Sequence, residues 1–371
     1  MNKYILAIDA GTTSSRAILF DKNAEAVEIA QYEFNQIFPK EGWVEHDAIE
    51  ILNTQLKAIR DVINNSKIDP KNIDSVGITN QRETTVIWNK KTGKPVFNAI
   101  VWQDRRTASF CDDLKKNNKT ELIQNKTGLV IDAYFSGTKI KWILDSDPKI
   151  RSQANNGELL FGTIDTWLIW NLTNGQSHIT DPSNASRTLL YNIKKDCWDD
   201  ELLSLFDIPK NILPDVVDSS SISAHIDAKI FGAKIPISGI AGDQQAALFG
   251  QLCTDEGDIK NTYGTGCFCM MNTGKTFVKS NNKMLSTIAW RIDGELTYAL
   301  EGSVFVAGAL IQWLRDKLGI IKNASEVENL ANTVDNNGGV TFIPALSGLA
   351  APYWDPYAQG TIFGITRGTE N

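Results

Sequence analysis

Tyr4-Ile-Leu-Ala-Ile-Asp9-Ala-Gly11-Thr12-Thr13-Ser14-Ser15-Arg16-Ala-Ile-Leu-Phe20 is the most informative stretch of the chain. Two apolar runs, Tyr4 to Ile8 and Arg16 to Phe20, flank a turn of glycine, threonine and serine, which predicts a β-hairpin. Gly11 gives the backbone freedom to turn with positive φ. Successive N–H groups and the hydroxyls of Thr12, Thr13 and Ser14 then face one concavity, which suits phosphate oxygens. Asp9, at the strand end, is placed to hold Mg2+, a metal that favours a carboxylate with waters and phosphates. An ordinary polar hairpin capped by an aspartate has the same sequence pattern, so this segment leaves both readings open.

The same pattern recurs far down the chain. Pro236 to Ile240 reads as a strand, Ala241-Gly242-Asp243-Gln244-Gln245 as a turn, and the residues through Leu252 as an apolar helix. Asp258 to Tyr263 then forms a strand ending in Gly264-Thr265-Gly266, a second small-residue turn. Two facing hairpins of this kind can grip a polyphosphate from opposite sides. Between them, apolar residues at helical spacing from Ala48 to Asn64 predict a helix with Asp47 as its N-cap. Ser75–Thr79, Thr84–Trp88 and Ala99–Trp102 read as strands. Gly137–Leu144 and Asp165–Leu172 read as helices, and 181–213 shows little periodicity. Asp293-Gly294 marks a further hairpin, followed by a helix from Phe305 to Leu318. Mixed strands and helices with two similar units predict an α/β protein with internal duplication, dividing near residues 245–255.

Composition narrows the function. The chain has 371 residues, enough for two or three domains at about 150 residues each. With 37 Lys and Arg against 44 Asp and Glu, the net charge is −7, which argues against a nucleic-acid binder. Five sparse cysteines without a C-x-x-C pair fit a reducing compartment. Cys267 and Cys269 make a poor zinc pair, because only three histidines are present in the whole chain. No apolar stretch reaches the length of a membrane span, and the N-terminal run is broken by Asp9 before it makes a signal segment. The expected location is therefore cytoplasmic. A P-loop is excluded as well: Gly274-Lys275-Thr276 has the right ending, but Cys269 stands where the first glycine is required.

Other residues suggest a polyol site, each with a blander alternative. Arg82-Glu83 lies at a connection between strands, where ligand contacts collect. With Tyr134 the pair would donate to and accept from hydroxyls, although in isolation it reads first as a surface ion pair. Asp243 is either a helix N-cap or a carboxylate at the strand edge where α/β sheets bind ligands. In the second case it can take the proton of an attacking hydroxyl. Trp102 and Phe268 are core aromatics or the apolar wall of such a site.

The combination resembles the FGGY carbohydrate kinases, within the actin/hexokinase-like ATPases. The resemblance rests on Asp9–Arg16, Gly42–Asp47, Gly77–Thr84, Ile100–Arg106, Tyr134–Lys139, Gly239–Gln251, Asn261–Cys267 and Ala351–Pro356, in the family's order along essentially the whole chain. It implies duplicated ribonuclease H-like α/β domains, an N-terminal one over 1–248 and a C-terminal one over 249–371. The implied activity is Mg2+- and ATP-dependent phosphorylation of glycerol to glycerol 3-phosphate, with ADP released. Carried over, Arg82, Glu83, Tyr134, Asp243 and Gln244 resemble polyol contacts, and Trp102 and Phe268 the apolar wall. Asp243 matches the general base. Thr12, Thr13, Ser14 and Arg16 match the first phosphate loop, Thr265 the second, and Gly308 and Gln312 further nucleotide contacts. Asp9 matches the Mg2+-associated carboxylate. The family pattern continues past Asn371 with an Asp-Gly-Gly loop absent here, so the resemblance implies an incomplete second domain, a homo-oligomer when full length, and apolar surface along the shortened edge. A fragment that binds polyol without catalysis, and a kinase for another polyol or ketose, stand as alternatives.

Overall fold

A computed structural model describes residues 3–370. Its backbone is a ten-stranded sheet. β1 (Tyr4–Ala10), β2 (Ser14–Phe20) and β3 (Ala26–Glu33) form an antiparallel meander. α1 (Ala48–Ser66) follows, then β4 (Ile73–Asn80), α2 (Ser136–Ser146), α3 (Ile164–Leu172) and the short α4 (Pro182–Ala185). β5 (Ser220–Ile226) and β6 (Ile235–Gly242) lead directly into α5 (Asp243–Gly250). β7 (Ile259–Tyr263), β8 (Cys267–Asn272), β9 (Leu285–Ile292), β10 (Glu295–Val304) and α6 (Gly308–Trp313) complete the region around the sheet.

The strand order is β7-β8-β10-β9-β5-β6-β4-β1-β2-β3. β4 runs parallel to both β1 and β6. Leu6, Ile8, Val76, Ile78, Ile237 and Ile240 on these three strands are all buried, as expected where helices cover a parallel sheet. The register aligns Asp9 with Thr79, and Asn80 with both Ala10 and Gly242. The carboxyl ends of three strands therefore finish together, and Asp9, Arg82 and Asp243 emerge at one edge.

The hairpin expected at 4–20 is present, but Gly11 does not use positive φ. Its N–H donates to the Ser14 carbonyl at 2.9 Å, and a Cβ there would stand only 3.3 Å from that same oxygen. The tight return of the chain, rather than a left-handed backbone, makes glycine fit. Helix α1 is capped by Asp47, which accepts from the Ile49 N–H at 2.8 Å. It buries Ile51, Ala58, Ile59, Val62 and Ile63 and leaves Ile49 exposed. The helix expected over 305–318 starts at Gly308 and continues beyond Trp313 with wider π-type turns to Leu318. The second hairpin, β7 and β8 around Gly264–Gly266, lies at the far side of the sheet, where β7 is an edge strand with Ile259 and Tyr263 exposed.

Candidate active site

The two Gly/Thr turns face one another across a cavity of about 380 Å³. Asp9, Gly11, Thr12 and Arg16 line it from the first hairpin, and Gly264, Thr265 and Gly266 from the second. Arg82, Glu83, Trp102, Tyr134, Asp243, Gln244 and Phe268 form its floor and walls. Most of the residues singled out from sequence, drawn from positions between 9 and 268, meet here.

Arg82 is not a surface residue. Its side chain is only 2% exposed, and it follows β4 beneath the first turn of α5. A Cβ on Gly242 would stand 2.7 Å from the Arg82 Cδ, so glycine at the end of β6 is what lets the arginine approach. Arg82 Nε lies 3.2 Å from Asp243 Oδ1, and Nη1 lies 2.5 Å from Glu301 Oε2. Nη1 also donates to Gln245 Oε1 at 3.2 Å, and Nη2 to the Tyr134 hydroxyl at 3.3 Å. Glu83 adopts positive φ and accepts from Arg187 Nε at 2.6 Å. Arg187 Nη2 in turn reaches Glu301 Oε1 at 2.9 Å. Two guanidiniums and two carboxylates thus close a buried ring. Burial pushes the Glu301 carboxyl up, but Arg187 and Arg82 outweigh that and hold it at about 2. A surface pair would have been worth little; this one is desolvated, and breaking it leaves a buried charge without its partner.

Asp243 differs from these groups in being open to the cavity, with about a third of its side chain exposed. It is the first residue of α5 rather than its N-cap, which is Gly242. Oδ1 accepts from the Gln244 backbone N–H at 2.8 Å, and Oδ2 from Gln244 Nε2 at 3.2 Å. Trp102 is buried, its Nε1 donating to Thr12 Oγ1 at 2.9 Å. Its ring meets Tyr134 and Phe268 edge-on, with centroids 5.7 and 6.0 Å away. The apolar wall is therefore fastened to the first phosphate-type turn.

Four candidate nucleotide residues lie outside the cavity lining. Ser14 Oγ accepts from Gln31 Nε2 at 2.8 Å, and the Thr13 carbonyl accepts from the Phe34 N–H at 3.3 Å. Gln312 is exposed on α6. Gly308 does not line the cavity either, but its N–H donates to the Gly264 carbonyl at 2.8 Å, so it braces the second turn from behind. Four residues next to the site were not found from sequence: Arg187, Glu301, Lys139 and Lys260. Lys139 donates to the Tyr134 carbonyl, and burial drops its ammonium to about 7.

Asp9 is the carboxylate available to a metal. Burial raises its carboxyl, Arg16 at 4.0 Å opposes this, and Asp243 raises it further. Among the described residues no three His, Cys, Asp or Glu side chains come together as a metal cluster. A lone carboxylate with only the distant Arg16 as a cationic partner fits Mg2+ arriving with its own phosphates and waters, not a resident all-protein site.

With this geometry in place, residues 4–250 match the N-terminal domain of the FGGY family of carbohydrate kinases, and residues 259–371 match its C-terminal domain. The chain belongs to the FGGY family. Among FGGY relatives it is 60% identical over 371 residues to a glycerol kinase of Alkaliphilus oremlandii, covering all of this chain and 74% of that protein. It is 59% identical over 367 residues to glycerol kinase 2 of Thermotoga maritima, covering 99% of this chain and 74% of that one. The solved glycerol kinase of Plasmodium falciparum with ADP superposes with a TM-score of 0.86 at 38% identity, over all of this chain and 74% of that one. The FGGY assignment accounts for the duplicated α/β architecture expected from sequence. Among the described residues no helix is long and apolar enough to cross a membrane.

Proposed function

We propose that this FGGY chain transfers the γ-phosphoryl group of ATP to glycerol, giving glycerol 3-phosphate and ADP. The observation that carries this reading is the single cavity in which a polyol-type constellation meets two opposed Gly/Thr turns. The similarity to glycerol kinases along the whole chain supports it, as does the ADP complex of the Plasmodium falciparum enzyme.

In this account Arg82 and Tyr134 donate to glycerol oxygens, Glu83 and Gln244 accept from its hydroxyls, and Trp102 with Phe268 packs on its carbon edge. Asp243 accepts the proton of the attacking hydroxyl as the new O–P bond forms and the bond to the β-phosphate oxygen breaks. The transition state of phosphoryl transfer is loose, so positioning and charge stabilisation carry most of the catalysis. The open side of Asp243 then returns the proton to solvent. Thr12, Arg16 and Thr265 hold the phosphates from opposite sides of the cleft. Thr13, Ser14, Gly308 and Gln312 act on the nucleotide from positions behind or beyond these turns. Mg2+, held through Asp9, would neutralise charge on the transferring phosphates.

The test is to incubate the chain with Mg-ATP and glycerol, a ketopentose or gluconate, and to follow products by 31P NMR. Glycerol 3-phosphate formed in preference to the other products supports the assignment. Preferential phosphorylation of another sugar, or ATP hydrolysis unaffected by glycerol, would overturn it.

A further inference from the structure

Lys260 has no part in the site as read from sequence, yet it is 6% exposed and lies among the groups that matter most. Its ammonium has three N–H donors and finds three acceptors. They are Gln244 Oε1 at 2.5 Å, Thr262 Oγ1 at 2.8 Å and the Phe268 carbonyl at 3.3 Å. These acceptors sit on different elements: Gln244 on the first turn of α5, Thr262 on β7 and Phe268 on β8. The two-residue period of β7 puts Lys260 and Thr262 on the same face, and Thr262 pairs directly with Phe268 across the hairpin.

The bond to Gln244 fixes more than a distance. A lysine ammonium can only donate, and an ionised aspartate can only accept. The amide between them therefore has one orientation that satisfies both, with Oε1 toward Lys260 and Nε2 toward Asp243 Oδ2. The same ammonium ties that helix turn to the hairpin that presents Gly264-Thr265-Gly266.

We infer that Lys260 is a positioning residue: it orients the Gln244 amide against Asp243 and locks the base-bearing turn of α5 to the second phosphate turn. The inference rests on the glycerol kinase reading above. It explains the presence of a buried cation beside Arg82, where electrostatics alone disfavours one. The charged and titratable groups facing it are Arg82, Glu301, Asp243 and the Cys269 thiol. Burial, with Arg82, lowers its ammonium to about 8, against the opposing pull of Glu301, Asp243 and Cys269. Above that pH it loses one of its three donors and its charge.

The experiment compares the wild-type chain with Lys260→Met, which keeps the stem without donors, and Lys260→Gln, which keeps donors without charge. Glycerol affinity is read by calorimetry, kcat by a coupled assay, and both are followed from pH 6.5 to 9.5. Loss of a charge-assisted hydrogen bond predicts roughly tenfold lower kcat/KM for glycerol in Lys260→Met, with a smaller loss in Lys260→Gln. An alkaline decline near pH 8 in wild type should vanish in Lys260→Met. A Lys260→Met chain that folds, binds and turns over like wild type at every pH overturns the inference. So does a lower melting temperature with an unchanged pH profile, since that is the mark of a merely structural lysine. If Lys260→Met does not fold, Lys260→Gln decides the matter by the same readouts. A wild-type chain that fails to bind glycerol removes the glycerol reading itself, an outcome distinct from equal behaviour of wild type and variant.

Discussion

Arg82 Nε stands 3.2 Å from Asp243 Oδ1, joining a nearly inaccessible guanidinium at the end of β4 to a cavity-facing carboxylate at the start of α5. The two residues are 161 positions apart in sequence, and the parallel register of β4 and β6 brings them together. The contact fixes one oxygen of Asp243 and leaves the other facing Gln244 and the cleft. The carboxylate is held in place by fixed partners while staying open to a hydroxyl, which is what a proton acceptor positioned for phosphoryl transfer requires.

The buried ring of Arg82, Glu83, Arg187 and Glu301 should behave as a unit. Replacing Glu301 by Ala leaves two guanidiniums facing each other without the carboxylate between them and should cost about 3–5 kcal/mol of stability. Glu301→Gln keeps the shape and some hydrogen bonds and should cost less. Both should weaken glycerol binding by releasing Arg82. Chemical denaturation and calorimetry of the two variants check this. Equal stability of Glu301→Ala and wild type would contradict the ring's role.

The second phosphate turn depends on a close backbone approach. A Cβ at Gly308 would lie 2.6 Å from the Gly264 carbonyl, so Gly308→Ala must push the turn into the cleft or away from α6. The expected result is an ATP KM raised at least several-fold with glycerol affinity little changed, because the polar polyol residues Arg82, Glu83, Tyr134, Asp243 and Gln244 belong to other elements and only Phe268 shares this hairpin. Steady-state kinetics with each substrate varied in turn measures the split. A change in glycerol affinity alone would go against the division of labour between the two turns.

His46 sets an acid limit on stability. Its ring is buried against Phe34, its Nε2 lies 2.7 Å from Gln36 Oε1, and burial drops its pKa from 6.5 to about 3. The unfolded chain takes up this proton below about pH 6.5 and the folded chain only near pH 3. Stability contributed by neutral His46 is therefore complete above pH 6.5 and falls steadily as the pH drops toward 3. Melting temperature measured from pH 7.5 to 4.5 should decline, with a shallower slope in His46→Gln. Parallel slopes in the two proteins would rule His46 out as the cause.

Much of this site was legible in the sequence because its signals are local. The hairpin at 4–20 announces itself by two apolar runs around a Gly/Thr/Ser turn, and Asp243 by its place between an apolar strand and an apolar helix. Residues whose meaning lies in a distant partner were not legible. Arg82 reads as half of a surface pair until Glu301, 219 residues away, is placed against it. Arg187 sits in a stretch with little periodicity, where short α4 and isolated two-residue strands leave no pattern to read. Lys260 occupies an alternating position of β7 whose facing side only the packing of α5 determines. The rotation of α1, with Ile51 inward and Ile49 outward, has the same cause: spacing gives a stripe, and the sheet decides which flank of it is covered.

Asp243 is proposed to take the proton of a glycerol hydroxyl during phosphoryl transfer. The most direct measurement pairs turnover of Asp243→Asn under saturating Mg-ATP with its glycerol affinity by calorimetry. In Asp243→Asn kcat should fall by about 10²–10⁴-fold, the range for loss of a general base, while the glycerol Kd stays within a few-fold of wild type. Turnover of Asp243→Asn equal to that of the wild-type chain would contradict it.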